Sequence, residues 1–83
     1  MADIKFEVRI KEHRGKYIIQ YANYRFFKTW KTLLHWNFQN KRYEVYQLSN
    51  IDRAKNIIWG LKTIDDVSKW YESQNKLKAK WSQ

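Results

Sequence analysis

The segment between Glu12 and Glu44 contains no acidic residue and combines two kinds of side chain that suit binding to a polyanion. It holds seven basic residues, namely Arg14, Lys16, Arg25, Lys28, Lys31, Lys41 and Arg42. Nine aromatic residues are interleaved with them: Tyr17, Tyr21, Tyr24, Phe26, Phe27, Trp30, Trp36, Phe38 and Tyr43. Basic side chains attract phosphates whatever the base sequence, and exposed rings offer surfaces on which unpaired bases stack. The segment therefore favours nucleic acid over a small-molecule ligand.

The candidate binding residues are cations for phosphates and rings for bases. The cations are Arg14, Lys16, Arg25, Lys28, Lys31, Lys41 and Arg42, and the rings are Tyr24, Trp30 and Trp36. The plain alternative is that most rings form the core of a small domain and the cations its solvated exterior. Both interpretations can hold in part, because a strand has two faces. The binding hypothesis requires that the cations and at least two rings share one outward surface.

A second basic patch is predicted near the C-terminal end of the chain, where Lys69, Lys76 and Lys80 fall close to one face of a helix. These lysines could extend a phosphate-binding surface. A favourable interaction with the negative end of the helix dipole explains the lysines near the C-terminus without any ligand. The sequence leaves both interpretations open.

No pattern indicates catalysis, a metal site or a cofactor. His13 and His35 have no cysteine, second histidine or carboxylate at ligand spacing. Asp65 and Asp66 are adjacent, so on a helix their side chains diverge and do not act together as acid and base. The chain has no cysteine and only two glycines, too few for a phosphate-binding glycine loop. We therefore expect a binding protein that is not an enzyme.

The composition predicts one folded domain over residues 1–83. Hydrophobic residues make up 43% of the chain and aromatic residues 18%, which is far from the composition of a disordered protein despite the net charge of +9. The N-terminus has no continuous apolar segment, and the longest uncharged stretches are about half the roughly 20 residues of a membrane-spanning helix. These features favour a cytoplasmic location. Self-repulsion of the positive charges suggests that a partner contributes to stability.

Two hairpins are predicted in the first half of the chain. Ile4, Phe6, Val8 and Ile10 alternate with charged residues, and after a break at Gly15 the alternation resumes with Tyr17, Ile19 and Tyr21. A third strand is expected with Leu34, Trp36 and Phe38 on one face. Asn40 and Lys41 then form a turn in which Asn40 takes the positive φ, and a fourth strand covers residues 43–48.

Two helices are predicted in the second half. Ser49 or Asn50 caps the first helix, and Gly60 ends it. The second begins at Thr63, which precedes Asp66 by three residues, and carries an apolar stripe of Ile64, Val67, Trp70 or Tyr71, Leu77 and Trp81. The fold class is therefore α+β, with an antiparallel sheet of three to four strands in two hairpins followed by two helices packed on one face.

The layout of the segments at residues 14–21, 26–30 and 48–55 resembles that of small bacteriophage and prophage accessory proteins. The resemblance covers about the first two-thirds of the chain. It implies an early-expressed protein that binds and redirects a host factor, such as defence or transcription machinery. The opening hairpin is also similar to the three-stranded DNA-binding domains of some phage integrases, although this chain has a long aromatic insertion after Asn23 and a second helix.

The leading hypothesis is a nucleic-acid-binding module that uses the cations and rings named above. The alternative is a phage-encoded inhibitor or adaptor that docks on an acidic host protein, with exposed tryptophans and tyrosines as hot spots. Attachment of the helix at residues 63–81 to a membrane surface is disfavoured, because an α+β domain needs the apolar stripe for its own core. Five tryptophans in so small a domain leave room for a homodimer.

Overall fold

The computed structural model describes residues 3–81, with only the backbone of Trp81. In chain order the elements are β1 Lys5–His13, β2 Lys16–Tyr24, β3 Lys31–Thr32, β4 Leu34–Asn37, β5 Arg42–Val45, β6 Gln47–Leu48, α1 Ile51–Trp59 and α2 Ile64–Trp81. The strands form an antiparallel four-stranded sheet and a separate two-stranded sheet. The predicted α+β class and the order of strands before helices are confirmed.

The strands β1 and β2 form the predicted hairpin, with antiparallel pairing from Lys5 opposite Tyr24 to His13 opposite Lys16. Two residues connect them, Arg14 at φ 52° and Gly15 at φ 76°. Two consecutive positive φ angles define the tight turn whose twist matches that of paired strands. The turn fixes the register, and the register decides which side chains share a face.

The other side of β2 pairs with two short strands. β3 pairs with β2 at Gln20 and Tyr21, and β6 pairs with it at Tyr17 and Ile18. Between β3 and β6 the chain leaves the sheet as the β4–β5 hairpin. Leu33 is the branch point, because its N–H donates to Ile19 O and its carbonyl accepts from the Tyr46 N–H. The predicted third and fourth strands therefore exist, but β4 and β5 form a second sheet, and of the predicted fourth strand only its end, β6, lies in the main sheet.

Two details of the second hairpin were wrong in the prediction. Phe38 does not continue the strand, because β4 ends at Asn37 and Phe38 lies in the turn with 44% of its surface exposed. The positive φ belongs to Lys41 and not to Asn40. The side chain of Asn37 explains the turn, since its Oδ1 accepts from the N–H groups of Gln39 and Asn40 at 2.9 and 3.2 Å.

Both helix starts follow the predicted capping chemistry. Asn50 caps α1 by accepting from the Asp52 N–H at 2.8 Å, and Gly60 ends this helix. At the start of α2, the Asp66 carboxylate accepts from the Thr63 N–H at 3.0 Å and from the Lys62 N–H at 2.8 Å. These bonds satisfy backbone donors that have no partner inside a helix.

The core lies between the helices and one face of the larger sheet. Its buried residues are Ile19, Leu33, Leu48, Ala54, Leu61 and Val67. In the predicted stripe of α2, Trp70 and Tyr71 both pack against this core, while Ile64 and Leu77 stay 37% and 41% exposed. The side chain of Trp81 lies outside the described residues. Neither helix as described combines the length and apolar character needed to span a bilayer.

The helix α2 also covers the backbone of β4. The Leu34 N–H donates to the Tyr71 hydroxyl at 3.1 Å, and the Trp36 N–H donates to Gln74 Oε1 at 3.0 Å. The Trp70 indole N–H donates to Leu34 O at 2.8 Å. An unpaired strand edge would otherwise expose these groups, so α2 gives the small sheet its missing partner on that side.

Candidate nucleic-acid interface

The side chains of β1 and β2 that point away from the helices form one continuous surface, here called the outer face. Directly paired residues of an antiparallel ladder share a face, and the odd-numbered residues of β1 pair with even-numbered residues of β2. Four cations of this face define the basic track: Lys5, Arg9, Lys11 and Lys16. Along the strands the track runs from the β1–β2 turn toward residue 24, a length of roughly 25 Å.

The single acidic residue of this face, within the described strands, is Glu7, and it is already paired. Lys28 Nζ lies 2.8 Å from its carboxylate, and the Tyr24 hydroxyl donates to the same oxygen. These bonds, first that from Lys28 and then that from Tyr24, hold the pKa of Glu7 below its ordinary value. The same ion pair raises the pKa of Lys28. The charge of Glu7 is thus balanced by Lys28, and the basic track keeps its positive potential.

The connection from β2 to β3, residues 25–30, folds back toward the outer face and is here called the phenylalanine loop. The Arg9 guanidinium carbon lies 4.1 Å from the centre of the Trp30 ring, within cation–π distance. Arg9 Nε also donates to Gln20 Oε1 at 2.8 Å. Lys28 Nζ is 5.2 Å from the Tyr24 ring and 5.6 Å from the Trp30 ring. These contacts attach the loop to the basic track.

Two adjacent rings of the phenylalanine loop project into solvent. Phe26 is 75% exposed and Phe27 is 88% exposed, whereas Tyr24 and Trp30 are half-buried. The exposed phenylalanines provide free ring faces beside the cation Arg25. In a small domain that must bury its apolar side chains to fold, two neighbouring phenylalanines in water are unusual and mark a candidate contact surface.

Sequence reasoning did not assign these phenylalanines or three of the track cations to the site. The signal for the cations was present, because the alternation in β1 that packs Phe6, Val8 and Ile10 against the core must place Lys5, Arg9 and Lys11 together on the opposite face. The signal for the phenylalanines was weaker. Residues 25–30 follow neither helix nor strand period, which is typical of a loop.

The structure brings five of the ten predicted residues to the outer face and its loop: Lys16, Tyr24, Arg25, Lys28 and Trp30. Arg14 lies in the β1–β2 turn at the far end of the same hairpin. Lys31 is paired with Tyr21, a core residue, and so belongs to the opposite side of the sheet. The remaining three, Trp36, Lys41 and Arg42, belong to the β4–β5 hairpin.

The residues of the β4–β5 hairpin have local partners. Trp36 packs against the Tyr43 ring at 5.3 Å, and Lys78 Nζ lies 4.8 Å from the Trp36 ring centre. Arg42 Nε lies 2.8 Å from the Glu44 carboxylate. Hydrogen bonds from Arg42, and after it Asn40 and Asn37, lower the pKa of Glu44 from 4.5 to about 2. Packing accounts for Trp36 and ion pairing for Arg42, while Lys41 is the exposed positive-φ residue of the turn.

The second basic patch lies on exposed positions of α2. Lys69, Lys76 and Lys80 are seven and four residues apart, so they follow one helix face. Lys69 lines a shallow groove of about 300 Å³ between the helices, together with Asp66, Trp70 and Ser73. The patch is on a different element from the basic track.

Residues 3–81 contain no group of three or more histidine or acidic side chains arranged to hold a metal ion. No protein-family model matches the chain, and it has no match among curated proteins or solved structures.

Proposed function

We propose that the protein binds single-stranded nucleic acid, with the basic track contacting phosphates and the phenylalanine loop stacking on bases. The observation that supports this proposal most is the exposure of Phe26 and Phe27, at 75% and 88%, beside a row of cations whose one acidic neighbour within the described strands, Glu7, is paired with Lys28. A positively charged groove or row with stacking rings is the general solution for binding single strands without sequence preference.

Single strands are favoured over duplex because the rings need a base face to stack on. In a duplex the bases are stacked on each other, so Phe26 and Phe27 could act only as wedges that separate base steps, which costs a few kcal/mol per step. In a single strand the base faces are accessible. Each base stacked on an aromatic side chain is worth about 1–3 kcal/mol.

The first test measures affinity for oligonucleotides as a function of salt. Fluorescence anisotropy of labelled single-stranded and duplex DNA and RNA gives the dissociation constants. The four track residues and Arg25 amount to about five phosphate contacts, which predict that log K falls with log salt at a slope near −3.5 for a single strand. Absence of binding at low salt, or tighter binding to duplex than to single strands, would contradict the proposal.

The second test removes the two exposed rings. The double variant Phe26→Ala/Phe27→Ala should lose at least about 2 kcal/mol of binding, or roughly 30-fold in affinity, if each ring stacks one base. Because both rings are exposed, stability should change by less than about 0.5 kcal/mol. The matched control is Trp59→Ala, which removes a ring that is 79% exposed on α1. Equal affinities for the two variants would show that the phenylalanines do not contact bases.

A second candidate function uses the same rings to dock on an acidic host protein. The supporting observation is that Phe26 and Phe27 carry no hydrogen-bonding group, so they are as suited to an apolar pocket as to a base face. Pulldown from a nuclease-treated bacterial lysate separates the two functions. A stoichiometric protein partner that the double variant fails to capture favours docking, whereas partners that disappear after nuclease treatment favour nucleic-acid binding.

A further inference from the structure

The outer edge of β1 is an unpaired strand edge of nine residues. In a hairpin closed by a two-residue turn, the flanking pair His13 and Lys16 exchanges backbone hydrogen bonds, and such pairs alternate along the ladder. The N–H and C=O groups of odd-numbered β1 residues therefore face β2. Those of Phe6, Val8 and Ile10 point away from the sheet.

The other side of β2 supports this assignment. The carbonyl of Ile19, the residue opposite Ile10, points away from β1, because it accepts from the Leu33 N–H at 2.8 Å. Ile10 and Ile19 are therefore a pair without mutual hydrogen bonds, and the backbone N–H and C=O groups of Ile10 point away from β2. Among residues 3–81, no hydrogen bond to the outward backbone groups of Phe6, Val8 or Ile10 is formed.

The other strand edges of the described fold are short or covered, whereas the β1 edge is long and its backbone is open. Side chains of α2 accept hydrogen bonds from the backbone N–H groups of β4. The strands β3, β5 and β6 are only two to four residues long. Short strands and covered edges are the usual ways in which proteins avoid unwanted pairing. β1 is long, and it contains neither proline nor a bulge that would interrupt pairing. Its edge protection is the charge of Lys5, Arg9 and Lys11, which repels a cationic strand but not an acidic one.

The side chains along the edge show what kind of strand fits beside it. On the helix side, the half-buried Phe6, Val8 and Ile10 continue to Ile4, which is 59% exposed, so the apolar row is incompletely covered. On the outer face the edge carries Lys5, Arg9 and Lys11. Glu7 lies between these cations, but it is bonded to Lys28.

We propose that the edge of β1 accepts an extended segment of another protein in which acidic and apolar residues alternate. The apolar residues would cover the row from Ile4 to Ile10, and the acidic residues would lie beside Lys5, Arg9 and Lys11. A second copy of this chain fits less well, because antiparallel self-pairing brings two strands with the same unbalanced cations together. This site is separate from the phenylalanine loop and requires backbone pairing, which nucleic acid does not supply.

The experiment uses a synthetic peptide of about seven residues in which glutamate and valine alternate. In antiparallel pairing its valines lie opposite Phe6, Val8 and Ile10, and therefore valine N–H groups donate to β1. The peptide N-methylated at its valines should bind at least about tenfold more weakly, since each lost bond costs about 0.5–1.5 kcal/mol. The peptide N-methylated at its glutamates should retain binding, because those N–H groups point to solvent. A lysine–valine peptide should not bind.

Amide hydrogen exchange followed by NMR locates the bound peptide. In the free protein the amides of Glu7, Arg9 and Lys11 should exchange slowly and those of Phe6, Val8 and Ile10 quickly, and the peptide should slow the second set. The double variant Phe26→Ala/Phe27→Ala should bind the peptide with unchanged affinity while losing oligonucleotide binding. Equal binding of the two methylated peptides would overturn the proposal. So would protection of the even-numbered amides in the free protein that rises with protein concentration, which would identify a second copy as the occupant.

Discussion

Removal of the Tyr71 hydroxyl tests whether α2 protects the edge of β4. This hydroxyl accepts from the Leu34 N–H at 3.1 Å, and it also lies next to the Tyr21 hydroxyl, whose pKa is raised first by burial and then by Tyr71. Tyr71→Phe keeps the ring in place and leaves the Leu34 N–H without an acceptor. A buried donor that loses its partner costs about 1–3 kcal/mol, and because this hydrogen bond is partly buried we expect a cost near the lower end, about 1 kcal/mol. For a domain of this size, each kcal/mol lowers Tm by about 4–8 °C.

The matched control is Tyr17→Phe. Tyr17 also packs half-buried against the core, but its hydroxyl forms no hydrogen bond within the described part of the chain. Circular dichroism melts should therefore show a decrease of at least about 4 °C for Tyr71→Phe and a much smaller change for Tyr17→Phe. Hydrogen exchange should be faster at Leu34, while the Trp36 amide remains held by Gln74. Equal melting temperatures for the two variants would refute the protective role of α2.

Two further predictions concern the hairpins. Because the folded-state pKa of Glu44, about 2, lies below its ordinary value of 4.5, the ionised carboxylate contributes stability that is complete above pH 4.5 and is lost as the pH falls toward 2. Urea unfolding of wild type and Glu44→Gln at pH 7 and at pH 2.5 should show a stability difference that shrinks on acidification, and a difference independent of pH would contradict the assignment. In the β1–β2 turn, Gly15→Ala should cost roughly 1–2 kcal/mol because alanine resists φ 76°, whereas Arg14→Asn should be stabilising; thermal melts that rank these variants in the opposite order would exclude the turn type.

The parts of the fold that follow from local rules were predicted from the sequence. The β1–β2 hairpin could be predicted because one face of each strand is buried and the other is exposed to solvent. Apolar and polar residues therefore alternate along both strands. The helix starts were readable because Asn50 and Thr63 are capping residues at the correct spacing. These signals depend only on neighbours within a few residues.

The departure of the β4–β5 hairpin from the main sheet depends on contacts that are distant in sequence. The chain leaves the main sheet after Leu33, whose backbone is still bonded to Ile19 and Tyr46, and α2 then supplies partners for β4 from residues 70–74. No periodicity within residues 31–38 encodes those partners. The same reasoning explains why the single surface expected for all ten candidate residues is divided, since β3 turns Lys31 to the helix side and the second hairpin carries Trp36 away.

The two proposed sites share cations, and this has a thermodynamic consequence. Lys5, Arg9 and Lys11 face an acidic strand at the edge of β1 and a phosphate backbone on the outer face. Neutralisation by one ligand removes the attraction for the other, so each ligand must weaken the binding of the other by the same factor. The rings Phe26 and Phe27 lie outside this competition, because their contribution is stacking and not charge. An acidic protein segment bound at β1 would therefore reduce the salt-dependent part of nucleic-acid affinity and leave the stacking part in place.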